Sequence, residues 1–207
     1  MKRTVVCLSH ATGSGGTELG RIVADKLGFR LIDEEIISRA AEAQKVSVEE
    51  LADVERRKSL LDRILHDVAF GAAAAGYDMT AVMAPTDMLD PNTLRGLIRR
   101  SIEETADEGN VVIVSHAASL ALADRDDVLR VLVTGSPEVR TRRLVDGGLS
   151  EKDAAKSISA NDAGRANYLK RFYGVSEELP THYDITVNTD RIPATEWSDL
   201  VVGAASL

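Results

Sequence analysis

Residues 5–29, VVCLSHATGSGGTELGRIVADKLGF, constrain the fold more than any other stretch of the chain. An apolar, partly β-branched run, a turn built on Gly13, Gly15 and Gly16, and an amphipathic helix follow one another without a spacer. TVVCLSH (4–10) reads as a buried strand. From Thr17 to Leu27 the apolar residues Leu19, Ile22, Val23 and Leu27 recur at helical spacing, and Gly28 supplies the stop. Such a sequence puts several backbone N–H groups and the positive end of a helix dipole at one point, which favours a phosphate. A tight turn that holds no ligand satisfies the same pattern.

The pattern G-x-x-x-x-G-K-[ST] can be laid over Ala11 to Glu18. Ala11 then stands at the first glycine, Gly16 at the second, Thr17 in place of lysine and Glu18 in place of the hydroxyl residue. The lysine of such a loop balances the charge of the outer phosphates, and the hydroxyl binds magnesium. Thr17 keeps a hydrogen-bonding group and loses the positive charge. Glu18 is repulsive to phosphate unless it points away or meets it through a metal ion. Both departures weigh more against catalysis than against binding.

Four further β-branched runs alternate with helical patterns: FRLID (29–33), NVVIVSH (110–116), VLRVLVTG (128–135) and YDITVNT (183–189). Strands alternating with helices predict a parallel sheet with right-handed crossovers and helices on both faces, a three-layer α/β domain over residues 1–207. Two insertions interrupt it. Residues 34–109 read as mostly helical, in EEIISRAAEAQ, VSVEELADVERRKSLLDRILHDVAFG and NTLRGLIRRSIEETADEG, with a loop at 77–92. Residues 146–182 are charged. ATEWSDLVVGAAS (194–206) reads as a closing helix. Ligands in such sheets collect beyond the carboxyl ends of the strands, where both insertions can close.

The balance of 25 basic against 33 acidic residues gives a net charge of −8, which argues against bulk affinity for nucleic acid or anionic membrane. Aromatic residues make up 4% of the chain, too few for a base-stacking platform. The N-terminal apolar run is too short for a signal peptide, and no stretch approaches a membrane span. The lone cysteine, Cys7, lies in an apolar run and fits a reducing compartment, so a cytoplasmic protein is expected. The histidines show no metal-ligand spacing, and no metal-binding residues are expected.

Four segments occur in an order and spacing that resemble the cytidylate kinase-like family: GSGGTELGRIVADKLGFRLIDEEII, VVIVSHAASLAL, GLSEKDAAKSISANDAGRANYLKRFYG and YDITVNTDRI. The most specific of them carries Asp162, Arg165 and Tyr168. The resemblance covers most of the chain and is weakest across about 50–100. It implies a three-layer P-loop kinase fold with a five-stranded parallel sheet, in which 34–109 is a helical acceptor-binding insertion and 146–182 a lid. It also implies a transferase that uses ATP and Mg2+. In that family the residue after GSGG is often arginine, whereas here it is Thr17, and Ser115-His116-Ala117 stands where Gly-Arg-Gly is usual.

The resemblance assigns Gly13, Ser14, Gly15, Gly16, Thr17 and Glu18 to the phosphate-donor site. Arg165, with Lys170 and Arg171, would come down over the transferring phosphoryl, where an arginine can fork two hydrogen bonds to phosphate oxygens. Arg140, Arg142 and Arg143 on the preceding helix are further candidates, Arg143 first among them. Asp33 and Arg39 would face the acceptor, together with His116 as a pH-dependent cation and Asp162. Residue by residue, plainer readings stay open: an N-capping Asp33, a solvated Arg39, a basic helix face at 163–172. Arg95, Arg99 and Arg100 fit a phosphate clamp or a solvated face. His10 borders the glycine turn and fits either a phosphate contact or a structural role. NTD (188–190) lies where the donor base rests in this fold.

Two functional classes follow. One is an enzyme that transfers phosphoryl from ATP to a nucleoside monophosphate, CMP or a related small molecule, by alignment and charge, without an essential general base. The other is a catalytically degenerate nucleotide-binding or regulatory protein of the same fold, motivated by Thr17 and by the SHA triplet. A homodimer is conceivable through VEELADVERRKSLLDRIL, although core packing explains the same periodicity.

Overall fold

The computed structural model describes residues 3–33, 91–114 and 117–207. The elements in chain order are β1 (Val5–His10), α1 (Gly16–Leu27), β2 (Arg30–Ile32), α2 (Pro91–Glu108), β3 (Val111–Val114) and α3 (Ala118–Ala121). They continue with β4 (Val128–Thr134), α4 (Pro137–Asp146), α5 (Glu151–Tyr173), β5 (Ile185–Asn188) and α6 (Ser198–Ala205). Each strand expected from sequence is present; β1, β2, β4 and β5 are trimmed by one or two residues at one or both ends, and 115–116, expected to end β3, lie outside the described residues. The five form one sheet in the order β2-β3-β1-β4-β5, and every pairing is parallel. This is the three-layer α/β arrangement that the alternation of strands and helices predicts, with β1 at the centre.

The strands read as continuous apolar runs because both faces of the sheet are covered. Val5 and Cys7 of β1, Val111 and Ile113 of β3 and Val128 of β4 point to one side. There they meet Ile98, Ile102 and Ala106, one stripe of α2, with Ala118, Ala121 and Leu122 at α3. Val6 and Leu8, Val112 and Val114, and Leu129, Val131 and Val133 point to the other side. They pack on Leu19, Val23 and Ala24 of α1 and on Val201 and Ala205 of α6. Each fully buried Val, Leu or Ile contributes on the order of 1.5–3 kcal/mol, so these two layers carry most of the stability.

A third, smaller cluster joins Tyr168, Leu169 and Phe172 of α5 to Ala117. It docks the C-terminal half of α5, with the Tyr168 and Phe172 rings edge-on at 4.9 Å. Gly28 closes α1 in the left-handed conformation, as its position in the sequence predicts. The closing segment is not one helix: a 3-10 turn over Ala194–Trp197 precedes α6, a common way for the chain to tighten into a helix start. The helical segments and loop expected at 34–90, including the candidate dimer surface, lie outside the described residues. Among the described residues no helix is long and apolar enough to cross a membrane.

The amino ends of the strands are tied by charge. Arg125 pairs with Asp127 at 2.9 Å, and Thr4 donates to the same carboxylate at 2.8 Å, holding the Asp127 carboxyl down to about 2. Arg130 donates to the carbonyls of Leu122, Ala123 and Arg125, which collects the chain leaving α3.

Cys7 gives a direct test of the packing. It is wholly buried, and burial pushes its thiol from 9.0 up to about 12. The folded protein should therefore leave a thiol reagent unreacted at pH 8, with one equivalent appearing in denaturant. The sign of the linkage follows: the contribution of the protonated thiol is complete below pH 9 and is lost as the pH climbs toward 12. Rapid native-state labelling of Cys7 at pH 8 would contradict this packing.

Candidate functional site

Because β1 is paired on both sides, its exit stands at the middle of the sheet's carboxyl edge, and the glycine turn stands there with it. The turn runs from Ala11 to Gly15 and is closed by the Ser14 N–H donating to the Ala11 carbonyl at 3.0 Å. Gly13 and Gly15 have φ of 79° and 85°, in the left-handed region that favours glycine. A side chain at either would also meet its neighbours. A Cβ on Gly13 would lie 2.9 Å from the Arg140 carbonyl oxygen, and one on Gly15 would lie 2.9 Å from the Ala194 Cβ. The turn is therefore glycine for conformation and for room.

Gly15 caps α1 without a side-chain hydrogen bond, so the first-turn amides have no side-chain acceptor at the cap. Ser14 is fully buried, and its Oγ has no hydrogen-bond partner among the described residues. A buried hydroxyl left unpaired costs on the order of 1–3 kcal/mol. Here it sits in a turn whose free amides already suit an oxyanion. Amides, dipole and hydroxyl together suit an oxyanion such as phosphate.

Two arginines of α4, one helical turn apart, reach the carbonyl oxygens of the turn. Arg140 is nearly buried and donates to the Thr12 carbonyl at 3.3 Å. The same guanidinium forks onto both Asp162 oxygens, at 2.9 and 2.7 Å, which joins the middle of α5 to the turn. Arg143 donates to the Gly13 and Ser14 carbonyls at 3.4 and 3.5 Å, to Thr189 Oγ1 at 2.8 Å and to the Thr189 carbonyl. Thr189 is buried beyond β5 and its own N–H donates to the Thr134 carbonyl at 2.9 Å. These contacts engage the carbonyl oxygens of Thr12, Gly13 and Ser14.

Glu18 is exposed and turned to Arg21, whose guanidinium approaches it at 2.7 Å and holds its carboxyl below the ordinary range. It points along α1 and does not crowd the amides. Thr17 Oγ1 lies 3.5 Å from His10 Nε2. Magnesium takes oxygen ligands and commonly keeps several waters. Where a phosphate-binding loop ordinarily offers it a hydroxyl, this chain has Glu18, already paired. Among the described residues no group of three or more His, Cys, Asp or Glu side chains could hold a metal ion.

In the lid region Arg165 is mostly buried and forks onto Glu178, with Nε to Oε2 at 2.9 Å and Nη2 to Oε1 at 2.6 Å. Burial opposes its charge, but the Glu178 carboxylate more than offsets that, and the guanidinium is held above its usual value. Tyr183 OH also donates to Glu178 Oε1, and burial, then this bond, pushes the phenol up to about 12. Arg171 is exposed, with its guanidinium 5.3 Å from the Phe172 ring centre, and Lys170 is exposed beside it.

The structure thus brings Gly13, Ser14, Gly15, Gly16, Thr17, Arg143 and Asp162 together around the turn. It leaves Arg165 on Glu178 and Arg171 on the surface. Asp33 ends β2 within the described residues, whereas Arg39 and His116 lie outside them. Arg99 pairs with Glu103 at 2.8 Å, and Arg95 lies 5.8 Å from the Tyr173 ring centre. Sequence reading did not anticipate Glu178, Tyr183 or the Thr189 side chain. An acidic residue 13 positions after an arginine, across a helix end, carries no periodic signal.

The sequence matches the cytidylate kinase-like family over residues 5–191. It is 25% identical over 202 residues to a cytidylate kinase from Methanocorpusculum labreanum, covering 97% of this chain and 96% of that protein. It is 26% identical over 188 residues to a cytidylate kinase from Ignicoccus hospitalis, with 90% of each covered. In fold it resembles the crystal structure of an uncharacterized protein from Eubacterium ventriosum, with a TM-score of 0.69 and 16% identity over 99% of this chain and 98% of that one. It also resembles a shikimate kinase from Bacteroides thetaiotaomicron, with a TM-score of 0.52 and 20% identity over 99% of each chain.

The Arg140–Asp162 pair is the contact whose loss should be felt most. Asp162→Ala leaves a nearly buried guanidinium without its carboxylate, and part-exposed Asp162 limits the penalty to about 1–3 kcal/mol. Urea unfolding should show that loss. A midpoint equal to that of the parent protein would mean that the pair does not hold α5 to the turn.

Proposed function

The chain belongs to the cytidylate kinase-like family, and from that premise we propose that it transfers the terminal phosphoryl of ATP to a nucleoside monophosphate, CMP or a related small molecule. The observation that carries this reading is the orphaned Ser14 hydroxyl, buried in a turn with uncapped amides. The amides of the turn and the Ser14 hydroxyl bind the donor's phosphates, and the α1 dipole adds to their attraction. Arg140 and Arg143 act as positioning residues, holding the turn's carbonyls outward. Arg165 is the catalytic candidate, meeting the oxygens of the group in transfer once it leaves Glu178, while Arg171 draws phosphate from the solvent side. Asp33 and Arg39, with His116, take the acceptor. An ionised acceptor phosphate needs no base, so alignment and charge supply the rate.

Bound magnesium would neutralise charge on the outer phosphates. The side chains around the turn do not fit a protein-held ion, so it would enter on the nucleotide's own oxygens, and no step here passes through it. A second reading, a nucleotide-binding regulator without turnover, is favoured by the fork of Arg165 on Glu178, which occupies the guanidinium that transfer requires.

Purified protein given ATP, magnesium and a panel of nucleoside monophosphates should release ADP in a coupled assay, with CMP among the accepted substrates. Arg165→Lys keeps the charge beside Glu178 and loses the fork, so kcat should fall tenfold or more while ATP still raises the melting temperature, where a ligand at ~100 times its Kd contributes about 2.7 kcal/mol. A melting shift with ATP and no turnover on any acceptor would favour the regulator. No shift with millimolar ATP would dismiss both readings.

A further inference from the structure

The arginines that reach the glycine turn from α4 end on its carbonyl oxygens. The start of α1, where the lysine of such a loop would stand, is approached by a different side chain. Alternation along β1 sends Val6 and Leu8 toward α1, and His10 follows them in register. The His10 side chain lies against the backbone of Gly16: a Cβ there would fall 2.2 Å from His10 Cβ and 2.5 Å from its Cγ. Any other residue at position 16 would displace the ring, so this glycine is matched to the histidine.

The ring's two nitrogens span the turn. Nδ1 lies 3.4 Å from the Ala11 carbonyl oxygen, at the beginning of the turn, and Nε2 lies 3.5 Å from Thr17 Oγ1, in the first turn of α1. With Nδ1 directed at a carbonyl, Nε2 faces the side chain that replaces lysine. Both contacts are long, so neither the Ala11 carbonyl nor the Thr17 hydroxyl holds the ring tightly. Glu18, the adjacent charge on α1, is turned to Arg21 and does not compete for that place.

We infer that His10, as the imidazolium, takes over the phosphate contact that the missing lysine would make: its Nδ1–H stays on the Ala11 carbonyl while its Nε2–H donates to an oxygen of the donor nucleotide's outer phosphates, with the Thr17 hydroxyl as second donor. The chain thus divides the lysine's task between a ring from β1 and a hydroxyl from α1. A hydrogen bond to an ionised phosphate oxygen is about twice as strong as a neutral one, which makes this contact selective for the outer phosphates over the nucleoside. The inference rests on the kinase reading of the same turn and adds a residue to it.

Binding separates the two. Calorimetric titration of the full chain with ATP, ADP and AMP, magnesium present, should give parent affinities that rise with phosphate number. His10→Ala should lose tenfold or more for ATP and ADP and threefold or less for AMP. In the His10→Ala background, Thr17→Lys places an ammonium at the expected position and should restore the preference for ATP over AMP. That recovery also shows that the histidine variant is folded. Equal ATP-to-AMP ratios in parent protein and His10→Ala would overturn the inference and leave the kinase reading standing. A double variant that binds AMP as the parent does and gains nothing for ATP would overturn it as well. Failure of the parent to bind any of the three would remove the kinase reading and this inference together.

Discussion

The pairing of β1 on both edges governs everything built on it. Val5 to Leu8 align with Val111 to Val114 on one side, and Val5 to His10 with Val128 to Val133 on the other. A strand so held cannot slip by one residue without exchanging its two faces, since Val5 and Cys7 serve one apolar layer and Val6 and Leu8 the other. The register therefore sets where the chain leaves the sheet, which way His10 points and where the amides of the glycine turn open. The chemistry begins with packing.

Around that fixed exit the chain arranges charge by face. Carbonyl oxygens of the turn are met by Arg140 and Arg143, and both guanidinia extend to partners beyond it, Asp162 on α5 and Thr189 after β5. Acceptors left bare in a turn repel an anion, and arginines on the carbonyls of Thr12, Gly13 and Ser14 counter that. The conformation of the turn itself is left to Gly13 and Gly15, both at positive φ. Threonine at position 17 therefore leaves intact a geometry that other residues maintain.

Much of this was legible in the sequence, for physical reasons. Strand runs buried on both faces show as unbroken apolar stretches, and the stripe of Leu19, Ile22, Val23 and Leu27 shows as helical spacing, of which Leu19, Val23 and Leu27 pack in the core. Glycines with positive φ mark the turn by type alone. What could not be read was which partner each cation takes. Arg143 stands out as a basic residue near the turn, but only the fold shows its guanidinium on Gly13, Ser14 and Thr189. Arg165 carried the strongest resemblance, yet its fork to Glu178 depends on how the chain folds back after Gly174. The acceptor side was read from resemblance, and of Asp33, Arg39 and His116 only the first lies among the described residues.

The length of α5 has a mechanical consequence. At 1.5 Å per residue its 23 residues make a rod of roughly 34 Å, fastened near the middle where Asp162 grips Arg140. It is held a second time toward its C-terminal end, where Tyr168, Leu169 and Phe172 are buried. Arg171 lies nine residues, roughly 13 Å, past Asp162 and beside that cluster, so it travels only with the docked half of the helix. A beam clamped at two points does not pivot, and displacing its basic tip costs apolar contact as well as one ion pair.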